Sequence, residues 1–287
     1  MTMTINRSRG RSSSVGLRFF VTRSRLVKDT FYRTWRMACL VACLGAAMLG
    51  YPAESARAQA AADISAAETC LAANPDLSLG ARLPRTGARL KSGEPLKIVA
   101  IGSSSTVGLW EFRPAATYPE VMRREILRLQ SNASISITNS GRVGDTIPDN
   151  LARFERDVLD FKPDLVVWQL GTNDIAWGGH VDDQLKNKIV QGVRSLKAIG
   201  ADVILMDLQY TPMVLASAYY SAMQAMIGEV ARQERVGLFS RFTLMRKSID
   251  AGLPSGALVS WDRLHNSTEG YDCVGRALAR TILANAR

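Results

Sequence analysis

The sequence predicts a three-layer α/β fold, a parallel sheet with helices on both faces. Short apolar runs of strand length recur along the chain, and stretches with helical apolar spacing stand between them. No β-hairpin signal joins one strand to the next, so consecutive strands must pair in parallel through right-handed helical crossovers.

The elements follow in order. Residues 59–95 form a lead-in, with a short helix near Cys70 and then an irregular Pro-, Gly- and Arg-rich stretch over 75–95. Leu96–Ile101 is a short apolar run closed by Gly102, as expected of a buried strand. Tyr118–Gln130 places Met122, Ile126 and Leu129 on one helical face, and Ser134–Asn139 alternates as a strand. Pro148–Asp160 predicts a helix that buries Leu151, Phe154 and Val158, with Pro148 in the first turn. Leu165–Leu170 is strand. Val181–Ile199 carries Leu185, Ile189, Val193 and Leu196 in one stripe, and Gly200 stops it. Asp202–Leu208 is strand, Ala216–Arg235 helix, Val236–Phe239 a short strand. Thr268–Ala286 is the closing helix, with Val274, Leu278 and Ile282 aligned.

The chain has 287 residues, 47% of them hydrophobic and 22% charged, which excludes a disordered protein. Its formal charge of +10 invites a nucleic-acid or anionic-membrane reading. The distribution argues otherwise. Residues 1–58 hold ten basic and two acidic side chains, which leaves residues 59–287 at only +2. Within 1–58, Met37–Tyr51 is apolar and uncharged, Arg33 and Arg36 precede it, and Ala56-Arg57-Ala58 follows. Basic flank, short apolar core and small-x-small site make a secretory signal, cut after Ala58. The apolar run is shorter than the about 20 residues a membrane span needs, though an uncleaved leader would still anchor the chain. Leu40-Val41-Ala42-Cys43 has too few apolar residues before it for a lipoprotein signal, and no paired arginines precede the apolar run. The expected location is therefore periplasmic or secreted, with no nucleic-acid partner and membrane contact only through the leader.

Export leaves Cys70 and Cys273 as an even pair in an oxidising compartment, where a disulfide is expected; two buried thiols are the alternative. Two histidines and four cysteines leave little room for a zinc site, and no metal or cofactor is expected.

Open parallel sheets place their sites at the carboxyl ends of the strands. Four polar stretches fall there or just before the last helix: Gly102-Ser103-Ser104-Ser105-Thr106, Asn139 to Thr146, Gly171-Thr172-Asn173-Asp174, and Asp262-Arg263-Leu264-His265. The first lacks the spacing and the Lys-Ser/Thr pair of a phosphate loop. Together the four supply the parts for acyl transfer. A serine on a strand-to-helix turn is a nucleophile once a base takes its proton, and His265 is the natural base. Asp262, three residues earlier, would fix the tautomer of His265 and stabilise the imidazolium. Gly144 offers a closely approaching backbone N–H and Asn173 an amide NH₂ to a developing oxyanion.

In this order the four stretches resemble the SGNH/GDSL hydrolase family of esterases and lipases, over roughly Leu96 to the C-terminus. The resemblance implies a flavodoxin-like sheet of about five parallel strands and no cofactor. It makes Ser104 the nucleophile among three consecutive serines, and Asp262 and His265 the rest of a triad. The N–H groups of Ser104 and Gly144 and the side chain of Asn173 would form the oxyanion hole. The family usually carries Asp just before the nucleophile, where this chain has Ser103. The expected activity is hydrolysis of a short-acyl carboxylic ester, with a small-molecule or carbohydrate substrate. The same residues would also serve an acyltransferase, and a non-catalytic carbohydrate-binding relative is a further alternative. Trp177, His180, Gln209 and Tyr210 stand in loops that could wall the site or simply pack.

Overall fold

The computed structural model describes residues 66–76, 78–176 and 179–287. The expected leader, the expected cleavage site after Ala58 and the loop residue Trp177 lie outside the described residues.

Helix α1 (66–72) carries Cys70, and α2 (Pro84–Ser92) leads into β1 (Leu96–Gly102). Next come α3 (Ser104–Val107), α4 (Tyr118–Leu129), β2 (Ile135–Gly141), α5 (Ile147–Ala152) and α6 (Phe154–Asp157). Strand β3 (Leu165–Gln169) precedes α7 (Thr172–Ala176) and α8 (Asp183–Ala198), and β4 (Asp202–Met206) precedes α9 (Pro212–Leu215) and α10 (Tyr220–Glu234). The chain ends with β5 (Gly237–Phe239), α11 (Arg241–Asp250), α12 (Ser255–Leu258) and α13 (Thr268–Asn285).

The five strands are parallel and ordered β2-β1-β3-β4-β5, the doubly wound order expected. Alternate side chains of each inner strand enter opposite cores. Ile98, Ala100, Leu165, Val167, Ile204 and Met206 pack under α4 and α13. Val99, Ile101, Val166, Trp168, Val203 and Leu205 pack under α8 and α10. Burial on both faces is why these strands read as continuous apolar runs. The crossover direction reverses at β1, whose neighbours are β2 and β3. Their carboxyl ends therefore flank a crevice at the switch point.

Three expectations need correction. The stretch 75–95 is not irregular throughout, because it contains α2. Pro84 opens that helix, Gly93 closes it in the left-handed region, and Arg85 and Arg89 clamp the buried carboxylate of Asp164. The helix expected over Pro148–Asp160 breaks at Arg153 (φ −122°, ψ 8°), where the chain turns this side chain inward to the ends of β1 and β2. Leu129 is 43% exposed while Met122 and Ile126 are buried, since α4 ends there. Among the described residues no helix is long and apolar enough to cross a membrane.

Cys70 and Cys273 form the expected disulfide, with Cα atoms 5.9 Å apart, tying α1 to α13 across 203 residues. Closing so long a loop restricts the unfolded chain by about 5 kcal/mol on the entropy estimate. Replacing both cysteines with serine is expected to lower the urea midpoint by a large fraction of total stability. An unchanged midpoint would show that the bridge contributes nothing.

Candidate active site

Ser104 is the first residue of α3, directly beyond β1, and is 5% exposed. The turn that presents it needs a close backbone approach. A Cβ on Gly141, at the end of β2, would lie 2.4 Å from the Val107 nitrogen, so only glycine lets α3 nest against that strand. Beneath the turn, Gln169 accepts from the Ser103 N–H (2.9 Å), the Ser103 hydroxyl (2.9 Å) and the Thr106 hydroxyl (3.2 Å) through one oxygen. Ser103, standing where the resembling family has an acid, thus points into the protein.

The Ser104 Oγ lies 2.7 Å from His265 Nε2. His265 Nδ1 lies 2.5 Å from Asp262 Oδ2. The reverse turn between them is held by Oδ1 of Asp262, which accepts from the backbone N–H of Leu264 (3.1 Å) and of His265 (3.0 Å). The indole Nε1 of Trp110 donates to Oδ2 at 2.7 Å. Burial alone would push the Asp262 carboxyl up. The bonds from the His265 ring, the two backbone N–H groups and Trp110 outweigh it and hold the group at about 2.

Gly144 sits at φ +86° in the loop after β2. Asn173, near the start of α7, donates from Nδ2 to the carbonyl of Asp145 at 2.9 Å, the residue after Gly144. Among the described residues, the N–H groups of Ser104 and Gly144 have no protein partner. Ser104 is buried, and an unpaired backbone donor is rare inside a protein, whereas Gly144 is exposed and its N–H faces solvent. Asp174 faces inward, accepting from the Ile147 N–H at 3.0 Å, and burial raises its carboxyl to about 6.

The loop that carries Gly144 and Asp145 hangs on Arg153, a residue sequence reasoning missed. Its guanidinium, almost fully buried, donates to Asp145 (2.6 Å), Asp157 (2.9 Å), the Ser140 carbonyl (2.7 Å) and the Gly102 carbonyl (3.1 Å). Arg153→Ala leaves two carboxylates and two carbonyls without that partner. It is expected to cost about 3–5 kcal/mol of stability in urea titration. A loss below 1 kcal/mol, roughly the value of an exposed pair, would mean that solvent replaces the guanidinium.

Arg241, wholly buried at the head of α11, was missed as well. It donates to the Asp207 carbonyl (3.0 Å) and to Gln209 Oε1 (2.5 Å), and burial lowers its guanidinium to about 10. Gln209 also accepts from Thr172 (2.9 Å) and donates to the Leu264 carbonyl (3.2 Å). It therefore couples the Asn173 turn to the His265 turn from below and does not wall the site. Tyr210 packs edge-on against Phe242, and exposed His180 pairs with Asp182 at 3.0 Å.

The geometry joins Ser104, His265 and Asp262 in one hydrogen-bonded chain. Residues 69–287 match the family described as non-GDSL lipase-like. The chain belongs to that family. An acetylxylan esterase of Geobacillus stearothermophilus is 29% identical over 183 residues, covering 58% of this chain and 75% of that protein. Esterase TesA of Pseudomonas aeruginosa is 33% identical over 106 residues, covering 37% of this chain and 52% of that protein. Among solved structures, a two-domain esterase active on acetylated mannans superposes with a TM-score of 0.61 at 22% identity, over 72% of this chain. The chain spans about half of that structure (54%), so the likeness there is one of fold. The SGNH/GDSL-type resemblance is borne out, and this non-GDSL lipase-like protein is a hydrolase of ester bonds.

Proposed function

We propose that the protein is an exported serine esterase that removes short acyl groups from carbohydrate through an acyl-enzyme. The observation that carries this reading is the unbroken chain from Ser104 Oγ through the His265 ring to Asp262. As Oγ attacks the ester carbonyl, Nε2 of His265 takes its proton, and the Asp262 carboxylate stabilises the imidazolium that forms. The N–H groups of Ser104 and Gly144 and the Asn173 amide receive the negative oxygen of the tetrahedral intermediate. Collapse expels the alcohol, which takes the proton from His265. A water activated by the same imidazole then releases the acid and restores Ser104.

Carbohydrate as the alcohol follows the relatives that act on acetylated xylan and mannan. Export is supported by the basic, then apolar N-terminus and by the Cys70–Cys273 bridge, which needs an oxidising compartment. The test is labelling with a serine-directed fluorophosphonate followed by digestion and mass measurement. One adduct is expected, on the peptide containing Ser104. A folded sample that takes no adduct and leaves acetylated xylo-oligosaccharide intact would end the proposal.

A further inference from the structure

The segment that follows the nucleophile helix is built as a rigid wall. Both Gly108 and Leu109 donate their N–H to the Ser104 carbonyl at 3.0 Å, so the segment starts at the nucleophile itself. The Leu109 carbonyl accepts from the Tyr271 hydroxyl at 3.1 Å. Glu111 turns its side chain inward and accepts from Thr268 at 2.7 Å and from the Arg113 N–H at 2.9 Å. Between these anchors Trp110 is held at φ +70°, a region bulky residues rarely occupy and which persists only where the surroundings impose it.

The imposed backbone puts the Trp110 indole against Asp262 and beside Trp261, with ring centroids 5.1 Å apart and the planes at 53°. Trp261, the residue before Asp262, is 76% exposed, and Trp110 is 41% exposed. Two adjoining indoles left in water forgo a large apolar burial. They also adjoin the Ser104–His265–Asp262 chain, because the same Asp262 oxygen that meets the Trp110 indole at 2.7 Å lies 2.5 Å from the His265 ring.

We infer that the Trp110–Trp261 pair is a stacking subsite for the sugar ring that carries the ester. The inference rests on the ester-hydrolysis reading of Ser104 and adds the recognition of the alcohol to it. A pyranose ring has an apolar C–H face that lies flat on indole and hydroxyls around its edge that stay in water. That form suits a pair of exposed, fixed aromatic faces. The anchors at Leu109 and Glu111 fix the wall in advance, so binding need not order it.

The experiment uses Trp261→Ala, since among the described residues it is the Trp110 indole and not that of Trp261 that bonds Asp262, with a far-ultraviolet spectrum to verify the fold. Acetylated xylotetraose is the sugar probe, vinyl acetate the small ester, and p-nitrophenyl octanoate the acyl-chain probe. The variant is expected to lose about tenfold in kcat/KM on acetylated xylotetraose, the size of one aromatic contact, chiefly through KM. It should stay within twofold on vinyl acetate. A binding arm needs no turnover: acetylated xylotetraose is titrated into Ser104→Ala while tryptophan fluorescence is followed. Saturable quenching is expected, and it should disappear when Trp261→Ala is added. Unchanged kinetics on all three esters, an equal loss on all three, or a loss confined to the octanoate ester would each overturn the subsite. Quenching without hydrolysis of any ester by the unaltered protein would keep the subsite and remove the esterase reading instead.

Discussion

Ser104→Ala is expected to lower kcat by about six orders of magnitude, the scale seen when a serine nucleophile is deleted from a triad. The fold should survive, because the lost hydroxyl bonds only His265 and alanine suits the first turn of a short helix. Its neighbours supply the internal controls. The Ser103 hydroxyl is committed to Gln169 at 2.9 Å, and Ser105 is 1% exposed beneath the turn. Ser103→Ala removes one of three donors to the Gln169 oxygen and is expected to stay within about tenfold of the unaltered enzyme, the worth of one hydrogen bond. Initial rates on p-nitrophenyl acetate, with burst amplitude as the count of acylated sites, would measure both. If Ser103→Ala abolished the burst and Ser104→Ala did not, the nucleophile would have to be reassigned.

The legible part of this fold was the part governed by periodicity. Both-face burial made β1, β3 and β4 continuous apolar runs, and one-sided burial gave α8 and α13 clean stripes, so these elements appear within a few residues of their expected ends. Helix α2 was hidden by its composition. Its Arg85 and Arg89 read as loop, yet they face Asp164, and Pro84 at the start with Gly93 at the end was the available signal. The break at Arg153 could not be read, because a helix-compatible stripe runs through it and the cause is a buried guanidinium satisfied by carbonyls far away in sequence.

The site divides in the same way. The contact of Ser104, His265 and Asp262 was legible because these residue types sit in short motifs at the strand ends and before the last helix. Gln169, Gln209 and Arg241 were not, since a polar residue in a strand, a loop or a helix start carries no mark of the network it joins. Trp110 carries no mark in the sequence for a different reason. Its bond to Asp262 depends on a left-handed backbone that nothing in the local sequence announces.

Asp262→Asn is the second large effect, with kcat expected to fall about 10⁴-fold. The carboxylate meets four donors: Oδ2 takes the His265 ring N–H and the Trp110 indole, and Oδ1 takes the backbone N–H groups of Leu264 and His265. An asparagine amide has one oxygen, so its NH₂ must face one of those pairs. Toward His265 it would hold the ring in the tautomer that cannot accept the Ser104 proton. Toward the backbone it would set donor against donor and open the turn. The pH dependence separates the aspartate from the rest of the site. Its folded pKa of about 2 lies below the ordinary value of 3.8, so the stability it confers is complete above about pH 4 and is lost as the pH falls toward 2. The stability gap between the unaltered protein and Asp262→Asn should therefore narrow over that interval and stay constant above it. Throughout the neutral range the carboxylate remains ionised, so the acid limb of kcat/KM in the unaltered enzyme is not its titration. A variant retaining more than a tenth of kcat would show that the turn alone orients His265, and would remove Asp262 from the mechanism.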